Sequence, residues 1–344
     1  MLRHNLLLIY RNFKRFKTTF FINLIGLSTG LACTLLIYLW VNDELNVDKY
    51  HEKDSRLFQI MEHEKNEEGI LSTKGYTQDF LAEVLASEMP EIEYATTVTP
   101  PFFFPAFTVS VNENHVNGVG KFVSEDFFNI FCYHLIQGNE NQVLSDKNAI
   151  VISERLAKSL FNNSTNIVGK TVEYQIFSLK KQVFITGVFK DVPPNSSEQF
   201  DFVLSFDAFK DIMGFDNKTL DWDNTAPFFT YVTIKETTNL DQFNDKIGSL
   251  LKSKSKNSLH RTLFLKPFSD NYLYGEYENG VQTGGRIEYV KLFSIIAVFL
   301  LLIACINFMN LSTAKASRRI KEIGIKKAID AKRTTLIYQY MGHT

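Results

Sequence analysis

Residues 291–333, KLFSIIAVFLLLIACINFMNLSTAKASRRIKEIGIKKAIDAKR, decide how this chain is organised. The first part, residues 292–311, carries no charged side chain and is almost entirely apolar. About 20 helical residues cover the ~30 Å hydrocarbon core of a bilayer, so we predict a transmembrane helix over residues 291–311. The part that follows has two acidic residues and eight basic ones, namely Lys315, Arg318, Arg319, Lys321, Lys326, Lys327, Lys332 and Arg333. The positive-inside rule therefore places residues 312–344 in the cytoplasm.

The N-terminal end of the chain combines the same two features, a basic segment and an apolar one. Residues 1–17 hold five basic residues and no acidic one, and their apolar side chains follow a helical spacing. This pattern predicts an amphipathic helix at a membrane interface, and a positive flank that only sets orientation is the alternative. Residues 18–41 are apolar and uncharged. We predict a first transmembrane helix there rather than a cleaved signal peptide, whose apolar core spans only roughly 7–15 residues.

Two glycines in this first span, Gly26 and Gly30, form a G-x-x-x-G pattern. Small residues at this spacing allow two helices to approach closely, so both glycines are predicted to pack against a neighbouring helix. The same residues match G-x-S-x-G around Ser28. A nucleophile elbow requires a strand–turn–helix context, which a membrane helix does not supply, so we set that match aside.

The near-neutral net charge of −1 hides a strong asymmetry along the chain. Of the 37 basic and 38 acidic residues, the two ends hold 13 and two, which leaves 24 and 36 in residues 43–291, a net charge of −12. Phosphate binding needs a concentrated basic face, so nucleic acid is not expected as a partner. Cys33 and Cys305 lie in apolar stretches and Cys132 has no cysteine near it in the sequence, so no disulfide is expected in the middle region.

The middle region, residues 42–290, is predicted to form an α+β domain with a mixed sheet plus helices, in two subdomains inserted between the two transmembrane helices. Strand and helix patterns alternate along it. Residues 77–87 are predicted to form a helix capped by Thr77, and residues 124–131 a helix start capped by Ser124. Residues 153–161 are predicted to form a helix with Leu156, Ala157 and Leu160 on one face. Residues 116–123 are predicted to form a single strand.

The sequence contains fragments of catalytic and metal-binding patterns but completes none of them. His63-Glu64 begins like H-E-x-x-H, but Glu67 stands where the second histidine belongs. Cys132 and His134 are close in sequence without a second cysteine to complete a zinc site. The chain has no Walker A glycine loop. No catalytic, cofactor-binding or metal-binding residue is therefore predicted, and the chain is not expected to be an enzyme.

Short segments along the chain resemble, in order, the FtsX/MacB-like permeases of bacterial ABC transporters. IACINFMNLSTA (residues 303–314) and KEIGIKKA (321–328) carry the resemblance in the C-terminal stretch. The upstream matches are GLSTGL (26–31), NDEL (42–45), DKYH (48–51), SEDFFNIF (124–131), VISERLAKSLF (151–161), VGK (168–170) and TGVFKDVPPNS (186–196). The resemblance covers essentially residues 1–340.

The resemblance implies a multi-pass protein of the bacterial inner membrane, with both termini in the cytoplasm and a large periplasmic core domain between the first two spans. Permeases of this kind dimerise with a second copy and bind a pair of cytoplasmic ABC ATPase subunits. ATP is hydrolysed by that partner, so no cofactor is expected in this chain. The motion reaches the periplasmic domain and serves export or the handling of a lipoprotein or peptide. Membrane lipid and a periplasmic or outer-membrane protein are further expected partners.

The resemblance also assigns a role to the basic stretch after the second span. Its helix would contact the ATPase, with apolar side chains pressed into a groove and cations that fix the register. The residues expected in this ATPase coupling are Arg318, Arg319, Glu322, Ile323, Gly324, Lys326 and Lys327. A basic flank that only stops translocation, with no partner, is the alternative reading of the same composition.

Two departures from the family pattern bear on function. Asp330 stands where the family has glycine, which makes a turn at that position less certain. The sequence also ends before the third span that the family pattern would continue into, so we expect a permease subunit or its N-terminal part. The alternatives are a membrane-anchored periplasmic sensor or adaptor without transport, and a truncated, non-functional relic.

Overall fold

A computed structural model describes residues 17–104, 106–215, 220–223 and 226–328 of the chain. It divides into two compact units. One, here called the helical unit, lies within residues 1–43 and 288–344, and the other, here called the ectodomain, is Glu44–Ile287. The predicted interfacial helix, apart from its last residue, and residues 329–344, including Asp330, lie outside the described residues.

The described residues contain helices and strands in alternation. The helices are α1 (Lys17–Leu45), α2 (Leu81–Glu88), α3 (Phe127–Ile130), α4 (Glu154–Phe161), α5 (Phe206–Met213), α6 (Leu240–Gly248), α7 (Leu250–Lys254) and α8 (Arg286–Ala328). The strands are β1 (Leu57–Lys65), β2 (Leu71–Lys74), β3 (Ile92–Val98), β4 (Phe107–Val111), β5 (Asn114–Gly118), β6 (Gly120–Val123), β7 (Leu135–Gln137), β8 (Ala149–Ser153), β9 (Thr171–Ile176), β10 (Leu179–Phe189), β11 (Phe202–Ser205), β12 (Phe229–Ile234), β13 (Arg261–Pro267), β14 (Glu276–Glu278) and β15 (Val281–Gly284).

The helices α1 and α8 carry the long apolar stretches. Leu24–Leu45 has a mean hydropathy of 2.0 and Arg286–Asn310 one of 2.8, and both are long enough to cross a membrane by length and composition. Each predicted span, residues 18–41 and 291–311, falls inside a longer helix. The helical backbone of α8 continues without a break beyond its apolar part to Ala328.

The ectodomain is built on one mixed sheet of 13 strands in the order β13-β1-β12-β3-β6-β11-β8-β10-β9-β4-β5, with β2 paired to β1 and β7 to β10. The pairs β8–β10 and β6–β11 are parallel, and the other pairs are antiparallel. The hairpin β14–β15 forms a separate two-stranded sheet. The predicted α+β class, a mixed sheet plus helices, is confirmed.

The two predicted subdomains are halves of this one sheet within one compact unit. The halves meet where β3 pairs with β6 at Val98 and Val123. Buried apolar side chains form three clusters, one on each half and one across the meeting point that includes Val98, Phe131 and Tyr231. Continuous pairing joins the halves, which is why they do not separate.

Helix α4 forms for the reasons visible in its sequence. The Ser153 side chain accepts a hydrogen bond from the backbone N–H of Leu156 at 3.2 Å and so caps the first turn. Asn162 ends the helix in the left-handed conformation, at φ 55°. Leu156, Ala157 and Leu160 are all buried against the sheet, as predicted.

The predicted helix caps Thr77 and Ser124 are wrong, because both side chains form hydrogen bonds with residues on other strands. Helix α2 begins at Leu81 after Phe80, while the Thr77 hydroxyl lies 2.7 Å from the hydroxyl of Thr230 on β12. Helix α3 follows Asp126, and the Ser124 hydroxyl accepts instead from the backbone N–H of Thr97 on β3, at 2.8 Å. Both hydroxyls thus hold the sheet together and do not start helices.

The predicted strand over residues 116–123 is two strands. Strand β5 pairs with β4, and after Val119 strand β6 pairs with β11. Asp201 marks the change of partner, because its side chain and its backbone N–H both bond to the Val119 backbone, at 3.0 and 2.7 Å.

Candidate functional site

The residues predicted to couple to an ATPase lie on the C-terminal part of α8. The helical backbone reaches Ala328 and therefore includes all of them. Their side chains are outside the described part of the structure, so the coupling role stays a prediction for Arg318, Arg319, Glu322, Ile323, Gly324, Lys326 and Lys327.

The two glycines of the first span face α8 within the helical unit. A Cβ added to Gly30 would lie 2.9 Å from the Cβ of Ala304, closer than real Cβ atoms approach other atoms. A Cβ on Gly26 would lie 3.0 Å from Nδ2 of Asn307. Ala304 is only 4% exposed, and residues 304 and 307 are neighbours on one face of α8. The absence of side chains on the glycines allows the two helices to approach at this point.

The ectodomain holds the ends of both long helices through one set of contacts, here called the helix junction. It consists of residues 44–51 at the end of α1, the loop 193–198, and residues 268–275 and 284–287 before and at the start of α8. None of the predicted site residues belongs to it. Asp48 and His51 are its buried polar residues, and hydrogen bonds connect them to half-buried and exposed groups around them.

Asp48 anchors the chain after α1. Its backbone is in the left-handed region, at φ 60°, which turns its side chain toward the loop 193–198. Its Oδ1 accepts from the backbone N–H of Ser197 at 2.8 Å and from the Ser196 hydroxyl at 3.3 Å. Its own backbone N–H donates to the Asn195 carbonyl at 2.9 Å. Burial raises the pKa of the Asp48 carboxyl, and the hydrogen bonds from Ser197 act against that rise.

Tyr50 and His51 continue the anchor into the aromatic core. The Tyr50 hydroxyl lies 3.1 Å from the Ser196 hydroxyl and 3.4 Å from the Tyr133 hydroxyl. His51 is 3% exposed, and its Nδ1 accepts from the backbone N–H of Cys132 at 3.2 Å. That bond fixes Nδ1 as the unprotonated nitrogen of the neutral ring. Burial lowers the pKa of His51 to about 4, so the imidazole is neutral at pH 7.

The start of α8 is held in a comparable way. The Arg286 guanidinium donates to the Tyr272 hydroxyl at 2.6 Å and lies 3.7 Å from the Glu44 carboxylate. Gly285 has φ +140°, and a Cβ at this position would lie only 2.7 Å from the Leu273 carbonyl oxygen. Glycine, which has no Cβ, avoids this collision. Burial raises the pKa of Tyr272, and its hydrogen bond with Glu44 adds to the rise. Glu44 and Arg286 thus join the last turn of α1 to the first turn of α8.

Both ends of the ectodomain are bonded to neighbouring parts of the same unit. Asp48 binds the loop 193–198, and Arg286 binds Tyr272 and Glu44. Within the described residues, no group of three or more His, Cys, Asp or Glu side chains is arranged to hold a metal ion.

Sequence reasoning missed the junction although its parts were visible. The segments DKYH (48–51), SEDFFNIF (124–131) and TGVFKDVPPNS (186–196) are three separate points of the family resemblance, and the structure brings them together. Asp48 contacts Ser196, and the ring of His51 lies 5.4 Å from that of Phe131. The signal that could have revealed the junction was that three segments far apart in the sequence all resemble the same family.

Comparison with known proteins gives a consistent result. A family model described as the MacB-like periplasmic core domain matches residues 20–250. The Macrolide export ATP-binding/permease protein MacB of Salmonella choleraesuis is 23% identical over 241 residues, which are 68% of this chain and 32% of that protein. The protein of the same name from Neisseria gonorrhoeae is 26% identical over 222 residues, 64% of this chain and 31% of that protein. The chain thus spans about a third of the length of the curated relatives it matches.

A solved structure supports the fold. A domain of a protein described as a permease from Porphyromonas gingivalis superposes with a TM-score of 0.51 at 21% identity. The match covers 63% of this chain and 93% of that one. At this level of identity the likeness concerns the fold alone.

Proposed function

The chain belongs to the MacB-like periplasmic core domain family, and from this premise we propose that it is a permease subunit of a bacterial ABC transporter, or the N-terminal part of one. It transmits the ATP-driven motion of a partner ATPase to the ectodomain. The ectodomain lies in the periplasm, and both ends of the chain lie in the cytoplasm. The motion serves export or the handling of a lipoprotein or peptide.

The partner ATPase follows from the relatives and from this sequence together. The name of these relatives combines ATP binding with a permease, and this chain spans about a third of their length. Its sequence has no Walker A loop to bind ATP. We propose that a partner ATPase hydrolyses ATP and contacts the basic end of α8, and that residues 1–344 are not themselves an enzyme and need no cofactor.

The observation that carries the proposal is the helix junction. A transmitter requires both membrane helices to be fixed to the domain that moves. Asp48 fixes the end of α1 to the loop 193–198, and Arg286 fixes the start of α8 to Tyr272 and Glu44. A domain that was only tethered to the membrane would not need hydrogen bonds of this kind at both of its connections.

The helices also provide surface for lipid and for a second permease copy. Leu35, Leu36, Ile295 and Val298 are each more than half exposed in the helical unit. Aliphatic side chains of this kind suit a lipid environment or a further helix. We propose a dimer of permease chains in the inner membrane, with Gly26 and Gly30 reserved for packing within each chain.

Affinity purification with the associated ATPase tests the coupling role. The whole chain carries a tag and is co-expressed with the ABC ATPase encoded nearest to its gene, then extracted in mild detergent. We expect the ATPase at a near-equal amount with the unaltered chain. The double variant Lys326→Glu, Lys327→Glu should lose most of it, because two positive charges at the proposed contact become negative.

The matched control reverses the same charge elsewhere. Lys252→Glu with Lys256→Glu changes two exposed lysines of the ectodomain and should leave the amount of ATPase unchanged. Equal co-purification with both double variants would contradict coupling through α8. No ATPase with the unaltered, membrane-inserted chain would favour the anchored sensor or adaptor.

A further inference from the structure

The two halves of the ectodomain sheet meet between β3 and β6, along a line here called the seam (residues 97–99 and 122–124). Strand β3 ends the half that contains β1, β12 and β13, and β6 begins the other half. The two strands are in register at Val98 and Val123. In an antiparallel sheet, the residue pairs on either side of such a pair each exchange two backbone hydrogen bonds.

At the seam, side-chain hydroxyls replace two of these backbone acceptors. The Ser124 N–H donates to the Thr97 carbonyl at 3.0 Å, but the Thr97 N–H donates to the Ser124 hydroxyl, at 2.8 Å. The Thr99 N–H donates to the Phe122 carbonyl at 3.0 Å, but the Phe122 N–H donates to the Thr99 hydroxyl, also at 3.0 Å. A side-chain hydroxyl can rotate, so it follows a change in strand spacing more readily than a backbone carbonyl does.

One face of the seam is packed and the other is partly open. Val98 and Val123 belong to the buried cluster that includes the side chains of α3. Side chains alternate between the two faces of a sheet, so Ala95 and Phe122 point to the opposite face. There α2 packs against the first half and α5 against the second. Residues of α2 and of the start of α5 line a cavity of about 260 Å³ on this side.

A buried lysine joins the two helices beside this cavity. The Nζ of Lys210 on α5 donates to Oε1 of Glu83 on α2 at 2.6 Å. The Asp207 carboxylate lies 3.6 Å from the same nitrogen. The side chains of Glu83 and Asp207 are 62% and 64% exposed, so water can solvate either carboxylate when the lysine is released. The bond between Lys210 and Glu83 thus connects the two halves on the open face of the seam.

We propose that the ectodomain bends along the seam and that the bond between Lys210 and Glu83 holds it in a closed form. The packed cluster on the other face is the pivot, so the halves rotate without separating. The cavity between α2 and α5 widens when the bond opens. This bending is a property of the ectodomain alone and does not depend on an ATPase.

The pivot side of the seam is also where the chain after α1 is bonded. Asp48 and His51 lead into β1 of the first half, yet they bond to Ser197 and to the backbone of Cys132. Ser197 lies between β10 and β11, and Cys132 between β6 and β8, so both belong to the second half. A displacement of residues 48–51 would therefore act on both halves at once. In the transmission proposed above, it would appear as a change in the shape of the ectodomain.

Distances between spin labels test the bending directly. The whole chain, with its native cysteines replaced by alanine or serine, carries labels at the exposed positions Ser87→Cys on α2 and Met213→Cys on α5, in lipid nanodiscs. Two latch variants, Lys210→Met and Glu83→Gln, remove the bond between the halves. In Lys210→Met the mean distance should increase by about 3 Å or more, the width of a water molecule that enters between the helices. Glu83→Gln alters only an exposed side chain and should lengthen the distance by a smaller amount.

Two controls separate bending from a general loosening of the fold. Lys246→Met breaks an ion pair with Glu91 inside the first half and should leave the distance between α2 and α5 unchanged. Labels at Ser87 and Lys252, both in the first half, should keep their distance in the latch variants. An unchanged distance between α2 and α5 in both latch variants would overturn the proposal. So would equal lengthening in Lys246→Met, or a changed distance within the first half.

Discussion

The guanidinium of Arg261 on β13 forms a two-point ion pair with the carboxylate of Glu62 on β1. The distances are 2.7 Å from Nε to Oε1 and 2.6 Å from Nη2 to Oε2, and the side chains are 1% and 0% exposed. The remaining nitrogen, Nη1, donates to the Trp222 carbonyl at 2.8 Å. This buried pair joins β13, an outer strand of the sheet, to β1, the first strand after the first membrane helix.

Removing one partner of this pair should destabilise the ectodomain strongly. Arg261→Met leaves the Glu62 carboxylate buried without its cation, and breaking a buried pair in this way costs about 3–5 kcal/mol. The free energy of unfolding of the whole chain, from denaturant titration of ectodomain fluorescence, measures the loss. Lys147→Met, at an exposed pair with Asp211, is the control and should leave the free energy of unfolding nearly unchanged. Equal losses at the two sites would contradict this account.

Substitution of Gly30 should disturb the helical unit through one contact. In Gly30→Ala the new methyl group would lie 2.9 Å from the Cβ of Ala304, and forcing a methyl into packed space costs about 1–3 kcal/mol. We expect a lower midpoint of thermal unfolding in detergent, although alanine is the better helix former.

A second substitution tests whether that contact is the cause. In Gly30→Ala with Ala304→Gly the colliding methyl is gone, and the nearest remaining atoms lie 3.9 and 4.0 Å from the new Cβ. The double variant should recover most of the lost stability. A Gly30→Ala chain as stable as the original, or a double variant no better than the single one, would show that the two helices do not pack through these residues.

His51 should make the ectodomain sensitive to acid. Its pKa is lowered by burial from 6.5 to about 4 in the folded chain, so below pH 6.5 the unfolded chain takes up the proton first. The stabilisation is fully present above pH 6.5 and is lost as the pH falls toward 4, a change of about 3 kcal/mol. Asp48, with a raised pKa, acts in the opposite direction because its folded state takes up a proton more readily.

The variant His51→Asn isolates the histidine from the other titrating groups. The asparagine oxygen replaces Nδ1 as the acceptor for the Cys132 N–H and does not titrate. The unfolding free energies of the two chains, measured at intervals from pH 7.5 to 4, should converge or cross as the pH falls. Parallel curves over that range would mean that His51 is not the source of the acid sensitivity.

Local sequence patterns predicted the features that depend on local chemistry. The two apolar stretches, the mixed α+β class and the helix after Ser153 all follow from composition, periodicity or a cap. Thr77 and Ser124 have the same capping chemistry as Ser153, yet their hydroxyls bind Thr230 and Thr97. In both cases a hydrogen bond to a distant strand replaces the helix cap. The sequence around each residue does not contain that distant partner, so the local pattern could not reveal it.

The helix junction lay beyond local patterns for the same reason. Asp48 and Ser197 are bonded although about 150 residues separate them along the chain. The unusual backbone of Asp48 and the orientation of the Asn271 amide both depend on neighbours supplied by the folded sheet. The one indication in the sequence was that residues 48–51 and 186–196 both resemble segments of the same family.

The position of β1 sets the order in which this protein can fold during synthesis. β1 follows the first membrane helix, yet its neighbours across the sheet are β12 and β13, near the other end of the ectodomain. Apart from its short hairpin with β2, it has no partner until more than half of the chain has left the ribosome. Pairings this distant close slowly and leave strand edges open to aggregation. We therefore expect the segment after the first helix to be the part of the ectodomain that most needs protection by a chaperone during synthesis.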